Sequence, residues 1–342
     1  MATVLAGLGL GALGMPSSYL FAALLVGIAV ALTRPGTVDV APQAFTAAQA
    51  VTGVAIGGYL QSSSLSALGD AWLPVALVSA ATLVVSLAAG AALARTTSLD
   101  EPTAALGMVA GGASGIVGMA GELGADDRLV AFMQYLRVLV VVLVTPLLVA
   151  FAFGGGGGGG GVPDDGPVLG DLDGWGFTVA GAVVGTVVAT RVRLTAASLM
   201  GPLILSGAVH LSTGSAPDVP PLLRETAFAL IGLQVGLRFT VAALRQAGRL
   251  LVPTLVAIVV LLAACALLAV GLDAATSVSL LDAYLATTPG GLYAVLAAAF
   301  GSGADTTFVV AVQGLRLLVM ILLAPVAVRL VVGHGARRGR HG

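Results

Sequence analysis

Long apolar segments follow one another along most of this chain, with short polar or glycine-rich breaks between them. Four of the segments are near or above the length of a membrane span and contain few charged residues. They lie at 73–94, 129–153, 250–270 and 308–332. About 20 apolar residues in a helix cross the roughly 30 Å hydrocarbon core of a bilayer. The pattern therefore predicts an all-α polytopic membrane protein.

The two halves of the chain predict the same series of helices. The segments are 2–14, 17–32, 43–60, 72–94 and 128–151 in the first half, and 175–190, 195–211, 225–240, 250–270 and 306–332 in the second. Between the fourth and fifth segment of each half lies a segment interrupted by glycine, at 103–121 and at 278–300. Because glycine and proline stop helices, each interrupted segment is expected to be re-entrant or half-spanning.

Polar residues recur in the two halves at a constant spacing of 179 residues, the repeat offset. Gly124-Ala125-Asp126, Gln134, Arg137 and Pro146 return as Gly303-Ala304-Asp305, Gln313, Arg316 and Pro325. The glycine-rich breaks are expected to follow the repeat offset only with a gap of three positions, which places Ala113-Ser114-Gly115 opposite Pro289-Gly290-Gly291. Matched interruptions in two halves of a membrane protein point to a transport site.

A run of eight glycines at 154–161 marks the boundary between the halves. Polyglycine behaves as a flexible linker. The predicted organisation is a first membrane repeat at 1–153, a Gly-rich acidic linker at 154–173, a second membrane repeat at 174–333 and a basic cytoplasmic tail at 334–342.

Loop charges predict that the second repeat is inverted relative to the first. Arg238, Arg245 and Arg249 follow the third segment of the second half, whereas the equivalent loop at 61–71 contains Asp70 and no arginine. Cytoplasmic loops are enriched in Arg and Lys. An odd number of crossings, about five in each repeat, would satisfy this bias. Both termini would then lie in the cytoplasm, and the protein would be a multi-pass protein of the cell (plasma or inner) membrane.

Composition narrows the classes of partner and chemistry. The chain is 58% hydrophobic and 9% charged with a formal charge of −1, which predicts the lipid bilayer as a partner and excludes a basic surface for nucleic acid. Cys265, the one cysteine, is expected to be a small buried apolar residue. His210, His334 and His341 are scattered, and no cluster has metal-ligand spacing. We therefore expect no metal site, no cofactor, no catalytic residue and no enzymatic activity.

Two arginines inside apolar segments are the leading candidates for a substrate site. Arg137 and Arg316 each follow a glutamine, Gln134 and Gln313, at a spacing of three that places both side chains on one helical face. A charged side chain near mid-bilayer is costly and marks a function or a paired charge. Direct contact with an anionic ligand and bonds to carbonyls freed by the broken segment stay open as interpretations.

The breaks supply further candidate residues. A half-helix that restarts after the break would present free N–H groups to an anion, and the alternative is a packing kink. The predicted substrate-binding residues here are Ser114, Gly115, Thr288, Pro289, Gly290 and Gly291. Asp126 and Asp305 are also candidates because they precede the arginines by about three helical turns, roughly 16 Å along a helix. Both follow Gly-Ala at a helix start, so an N-cap is their alternative role.

These motifs resemble the membrane-bound AbrB duplication family over nearly the whole chain outside the glycine linker and the tail. The resemblance is carried by Thr288-Pro289-Gly290-Gly291-Leu292, Gly303-Ala304-Asp305 and Gln313-Gly314-Leu315-Arg316, and by Gln134-Tyr135-Leu136-Arg137 in the first half. Members are commonly labelled regulators of gene expression or ammonia monooxygenases. Neither label fits these residues, because metal ligands are missing and no segment outside the apolar runs is large enough for a DNA-binding domain.

Two functional hypotheses follow. The first is a secondary transporter that moves a small anionic solute through a site at the interface of the two repeats, with a coupling ion and homo-oligomer formation left open. The second is a membrane-embedded sensor or regulator of gene expression without transport, which the family label implies. The asymmetry between Ala113-Ser114-Gly115 and Pro289-Gly290-Gly291 favours the second half for ligand contact.

Overall fold

The computed structural model describes residues 18–58, 71–110, 120–153, 169–194, 196–214, 219–241, 248–290 and 302–317, with isolated positions between these ranges and some side chains inside them left out. Helices account for most of the described residues, and no strand occurs among them. The predicted all-α class is therefore confirmed for this part of the chain. The predicted segment at 2–14 lies outside it except at two positions.

The helices are numbered in chain order. They are α1 Ser18–Thr33, α2 Pro42–Gly57, α3 Trp72–Thr96, α4 Glu101–Met108, α5 Asp127–Ala152, α6 Leu172–Arg191, α7 Ala197–Thr213, α8 Pro221–Leu237, α9 Leu251–Ala275, α10 Leu280–Thr287 and α11 Thr306–Leu317. Single 3₁₀ turns precede α5 and α9, at Gly121–Leu123 and Gly248–Leu250.

Four of the described helices are long and apolar enough to cross a membrane, namely α3, α5, α6 and α9 with the turn before it. Their outward faces carry large apolar side chains, of which Val84 is 65% exposed and Leu267 is 74% exposed. A helix that is apolar around its whole circumference requires lipid or protein on every side. These helices are the signature of a membrane protein, as the hydrophobic pattern predicts.

Helix boundaries in the second half repeat those of the first at the repeat offset. Helices α3 and α9 match at both ends, and so do α4 and α10. Helices α1, α2 and α5 match α7, α8 and α11 at their first residues. Helices α4 and α10 obey the offset up to their last residues, Met108 and Thr287, whereas the predicted gap falls on positions 111–115, which lie outside the described residues. Counting by the offset alone, Gly111-Gly112 would stand opposite Gly290-Gly291. The inverted orientation of the repeats stays a prediction.

The chain forms two compact units, and each takes segments from both halves. The first unit comprises Met1–Gly69, Val142–Val241 and Tyr293–Val309, and the second comprises Asp70–Val141, Ala242–Leu292 and Val310–Gly342. The polyglycine run thus separates the repeats in sequence, whereas the compact units interleave them.

In the first unit, helices of one half pack closely on helices of the other. Helix α1 packs against α8, and α2 packs against α7. Glycine permits both contacts, because a Cβ on Gly232 would collide with the carbonyl of Leu20 and one on Gly53 would collide with the carbonyl of Leu199. Small residues let membrane helices approach each other closely. Gly53 and Gly232 are themselves counterparts in the two halves.

In the second unit, two long helices support the two short ones. Helix α3 packs against α4 and α9, and α9 packs against α10. A buried apolar cluster that includes Leu83, Leu106 and Val130 surrounds the C-terminal end of α4. This packing places the ends of the short helices in the interior of the unit.

Candidate functional site

Both short helices end inside the protein. The last turn of α4 and the residue after it are buried, and so are the last turn of α10 and Thr288. The final carbonyls of a helix have no partners within the helix. In a membrane interior such groups must be bonded by other parts of the protein. Each break therefore presents a group of carbonyl acceptors that needs donors.

In the first half, the donors come from one face of α5. Gln134 Nε2 donates to the carbonyls of Leu106 (2.6 Å) and Val109 (3.0 Å). Arg137 Nη1 donates to the carbonyls of Met108 (3.1 Å) and Val109 (3.2 Å), and its Nη2 donates to Oε1 of Gln134 (2.6 Å). The two side chains together bond the carbonyls at the end of α4.

The second half repeats this network atom for atom from α11. Gln313 Nε2 donates to the carbonyls of Leu285 (2.7 Å) and Thr288 (3.2 Å). Arg316 Nη1 donates to the carbonyls of Thr287 (3.0 Å) and Thr288 (2.7 Å), and Nη2 donates to Oε1 of Gln313. Every donor and acceptor is related to its counterpart by the repeat offset, so the two halves align without a gap up to Val109 and Thr288.

These contacts show that the arginines bond the carbonyls freed by the broken helices, which is one of the two interpretations that the sequence leaves open. They do not use every donor of the guanidinium groups. Nε of Arg137 and Nε of Arg316 are both buried and have no hydrogen-bond partner in the part of the chain that the structure describes. Within that same part, neither guanidinium pairs with a carboxylate. Among the described residues, two positive charges therefore lack a carboxylate partner and two N–H donors lack an acceptor.

The first-half arginine lies against the second-half break. A Cβ built on Gly290 would lie 2.8 Å from Nε of Arg137, and the φ of Gly290 is 104°. The carbonyl of Thr288 accepts a hydrogen bond from Arg316. Consecutive Cα atoms are about 3.8 Å apart, so the Cα atoms of Thr288 and Gly290 are separated by roughly 7.6 Å at most. One three-residue segment thus contacts both guanidinium groups.

Helices α3 and α9, which pack against each other, carry small polar groups at equivalent positions. The carbonyl of Cys265 accepts a hydrogen bond from Thr287 Oγ1 (3.2 Å). Cys265 is buried, as predicted. Ser86 is the first-half counterpart of Cys265, and its buried Oγ has no partner among the described residues. Extending the repeat comparison to 86 and 265 would have found this serine from the sequence.

The two predicted aspartates cap helices. Asp126 Oδ1 accepts hydrogen bonds from the backbone N–H groups of Arg128 (3.0 Å) and Leu129 (3.1 Å), and Asp305 Oδ1 accepts one from Phe308 (3.0 Å). An aspartate at this position satisfies N–H groups that the first turn leaves free. Asp126 is exposed, whereas Arg137 is buried, so the structure does not bring these two side chains together.

The other predicted site residues lie in the breaks. Thr288 and Pro289 directly follow α10, and the hydroxyl of Thr288 donates to the carbonyl of Tyr284 (2.7 Å). Ser114, Gly115 and Gly291 lie outside the described residues, as do most of the positions where the half-helices are predicted to restart. Over the described ranges, no group of three or more His, Cys, Asp or Glu side chains is placed to hold a metal ion.

The sequence matches proteins of one family over nearly its full length. A family model described as "Transition state regulatory protein AbrB" matches residues 19–332. The "Putative regulator AbrB" of Escherichia coli (strain K12) is 35% identical over 341 residues, which cover 98% of this chain and 96% of that protein. The "Uncharacterized protein YhjN" of Bacillus subtilis (strain 168) is 26% identical over 354 residues, which cover 96% and 91%. No solved structure matches the chain.

Proposed function

The chain belongs to the AbrB family, and on this premise we propose that it is a secondary transporter that moves a small anionic solute across a cell membrane. The observation that carries the proposal is the duplicated broken helix. Helices α4 and α10 end in the protein interior at equivalent positions, and a buried arginine bonds the end of each. Interrupted helices at corresponding positions in two halves are typical of transporter binding sites.

The charge of the site favours an anion. Arg137 and Arg316 are buried, and no carboxylate of the described chain pairs with either of them. A buried charge without a partner is strongly destabilising, and charges inside a membrane protein are normally paired or line a substrate pathway. A negatively charged solute would provide the missing partner.

The proposal includes an orientation in the membrane. The two repeats, of about five crossings each, are inverted, and both termini face the cytoplasm of the plasma or inner membrane. The support is the arginine bias of the loop that contains Arg245 and Arg249, since cytoplasmic loops are rich in basic residues. The solute passes through unchanged, so the proposal assigns no enzymatic step, and it assigns no nucleic-acid contact.

Reconstitution tests the proposal directly. The purified full chain in proteoliposomes should accumulate labelled small carboxylates or oxyanions above protein-free liposomes. Arg137→Gln and Arg316→Gln should abolish this uptake, whereas Arg249→Gln should not, because Arg249 is exposed and lies in the turn before α9. Size-exclusion profiles would verify that each variant is folded. Unchanged uptake by the folded arginine variants would remove both residues from the site.

A second candidate function rests on the names of the relatives. The family description and the name of the Escherichia coli relative both refer to regulation. A membrane-embedded sensor or regulator would bind a ligand at this site without moving it. No uptake of any solute by folded protein, together with an altered expression profile when the gene is deleted, would favour this function over transport.

A further inference from the structure

We propose that the anion bound at this site is a dianion, and that the Nε–H groups of Arg137 and Arg316 each donate one hydrogen bond to it. The inference rests on the proposed function and specifies the class of its solute. It depends on the donors left free, on the space next to one of them and on the net charge of the site.

Each half of the chain contributes one free donor, the Nε–H group of its buried arginine. In both arginines Nη1 donates to two carbonyls at the end of the short helix and Nη2 donates to the neighbouring glutamine. These two nitrogens are therefore occupied by contacts within the protein. Nε is the guanidinium nitrogen that remains buried without a partner in the described chain. A buried donor without a partner is costly, because it has given up its bonds to water. The same free donor recurs at two equivalent positions, which favours a role in ligand binding over a local defect.

Glycine keeps the first of these donors uncovered. A Cβ on Gly290 would approach Nε of Arg137 to 2.8 Å, which is closer than Cβ atoms approach other heavy atoms in folded proteins. Any side chain at position 290 would therefore cover Nε. Its absence leaves room beside Nε for an acceptor atom that does not belong to the backbone.

The number of charges follows from the two guanidinium groups. The segment Thr288–Gly290 contacts both, and each carries one positive charge without a carboxylate partner among the described residues. Like charges held close together repel strongly in a medium of low dielectric constant. A monoanion would leave one positive charge buried and uncompensated, whereas a dianion neutralises both. Dicarboxylates and compact oxyanions such as sulfate share this property.

Thermal unfolding of the purified full chain in detergent tests the preference for a dianion over a monoanion without any variant. The probes are succinate against monomethyl succinate and sulfate against methyl sulfate, at ionic strength matched with chloride. Each pair keeps its skeleton and differs by one charge. We expect at least one dianion to raise the unfolding temperature, with an apparent affinity at least about tenfold higher than its monoanionic partner. The succinate and sulfate arms separate dicarboxylates from compact oxyanions.

A variant tests the location of the dianion. Gly290→Ala should abolish the stabilisation by the dianion, because its methyl group covers Nε of Arg137. Gly271→Ala is the matched control, since a Cβ at position 271 meets no atom within 4 Å. The positive φ of Gly290 strains alanine, so the wild-type series above decides the proposal if this variant does not fold.

The outcomes separate this inference from the proposed function. Equal affinity for the charged pairs, or no stabilisation by any anion, would overturn the dianion assignment. Uptake of monoanions with equal affinity for both charge states would leave the transporter standing and overturn only the dianion. Dianion-selective binding without uptake would support the dianion and contradict transport.

Discussion

Arg137 Nη2 donates to Oε1 of Gln134 over 2.6 Å, and this bond determines which way the glutamine amide points. With Oε1 held by the arginine, Nε2 is directed at the carbonyls of Leu106 and Val109. The orientation of the amide follows from the charge beside it, because the guanidinium is a donor only. The same bond between Arg316 and Gln313 orients the second amide.

Replacing either glutamine with leucine should destabilise the fold. In Gln134→Leu, the carbonyls of Leu106 and Val109 lose a donor and Arg137 loses an acceptor, so we expect a loss of about 1–3 kcal/mol in the free energy of unfolding. Gln313→Leu should behave alike. Unfolding in detergent measures both. The control is Gln234→Leu, because Oε1 of Gln234 is buried without a partner in the described chain; equal stability of Gln134→Leu and this control would contradict the network.

Asp126 should contribute stability and no ligand contact. Asp126→Ala removes the acceptor for the N–H groups of Arg128 and Leu129, which should lower the free energy of unfolding by about 0.5–2 kcal/mol. Asp126→Asn keeps an acceptor oxygen and should change stability little. Uptake per folded molecule should be unaffected in both variants. Loss of uptake in stable Asp126→Asn would instead place the carboxylate in the substrate pathway.

The close contact of α1 with α8 should not tolerate a methyl group. Gly232→Ala pushes a Cβ against the carbonyl of Leu20, and overpacking of this kind costs about 1–3 kcal/mol. Gly176→Ala provides the comparison, since position 176 in α6 is open to a side chain and alanine favours a helix by about 1 kcal/mol over glycine. A thermal-stability measurement that ranks both variants as equal would show that the helices separate without penalty.

Opposite accessibility of two loops is expected if the repeats are inverted. Ser66→Cys and Gln246→Cys, each in a Cys265→Ser background, place one thiol in the equivalent loops of the two halves. A membrane-impermeant reagent added to intact cells should label position 66 and leave position 246 unlabelled, because the arginine-rich loop is assigned to the cytoplasm. Labelling of both positions from one side would exclude inversion.

The helices and the candidate arginines could be located from the sequence because lipid makes hydrophobicity and rare charges informative. The predicted segment 72–94 corresponds to α3 Trp72–Thr96, and 128–151 corresponds to α5 Asp127–Ala152. The sequence also identifies Arg137 and Arg316 as residues that require a partner, and it offers the carbonyls of the break as one possibility.

The register of the first break could not be read from composition. Positions 110–115 contain three glycines among small residues, so several alignments with Pro289-Gly290-Gly291 are equally good by residue type. Hydrogen bonds from Gln134 to Leu106 and Val109 fix the register as far as the end of α4, and these depend on the contact between α5 and α4. Such tertiary contacts leave no mark on the local sequence.

The pairing of α1 with α8 and of α2 with α7 bears on how such a chain could arise and fold. Each of these helices packs on a helix of the other half of the chain, so a half separated at the polyglycine run would lose the described partners of its glycine-lined faces. The interior of the first unit is therefore completed only when both halves of the chain are present, so a break at the linker should cost the packing of α1 and α2 together.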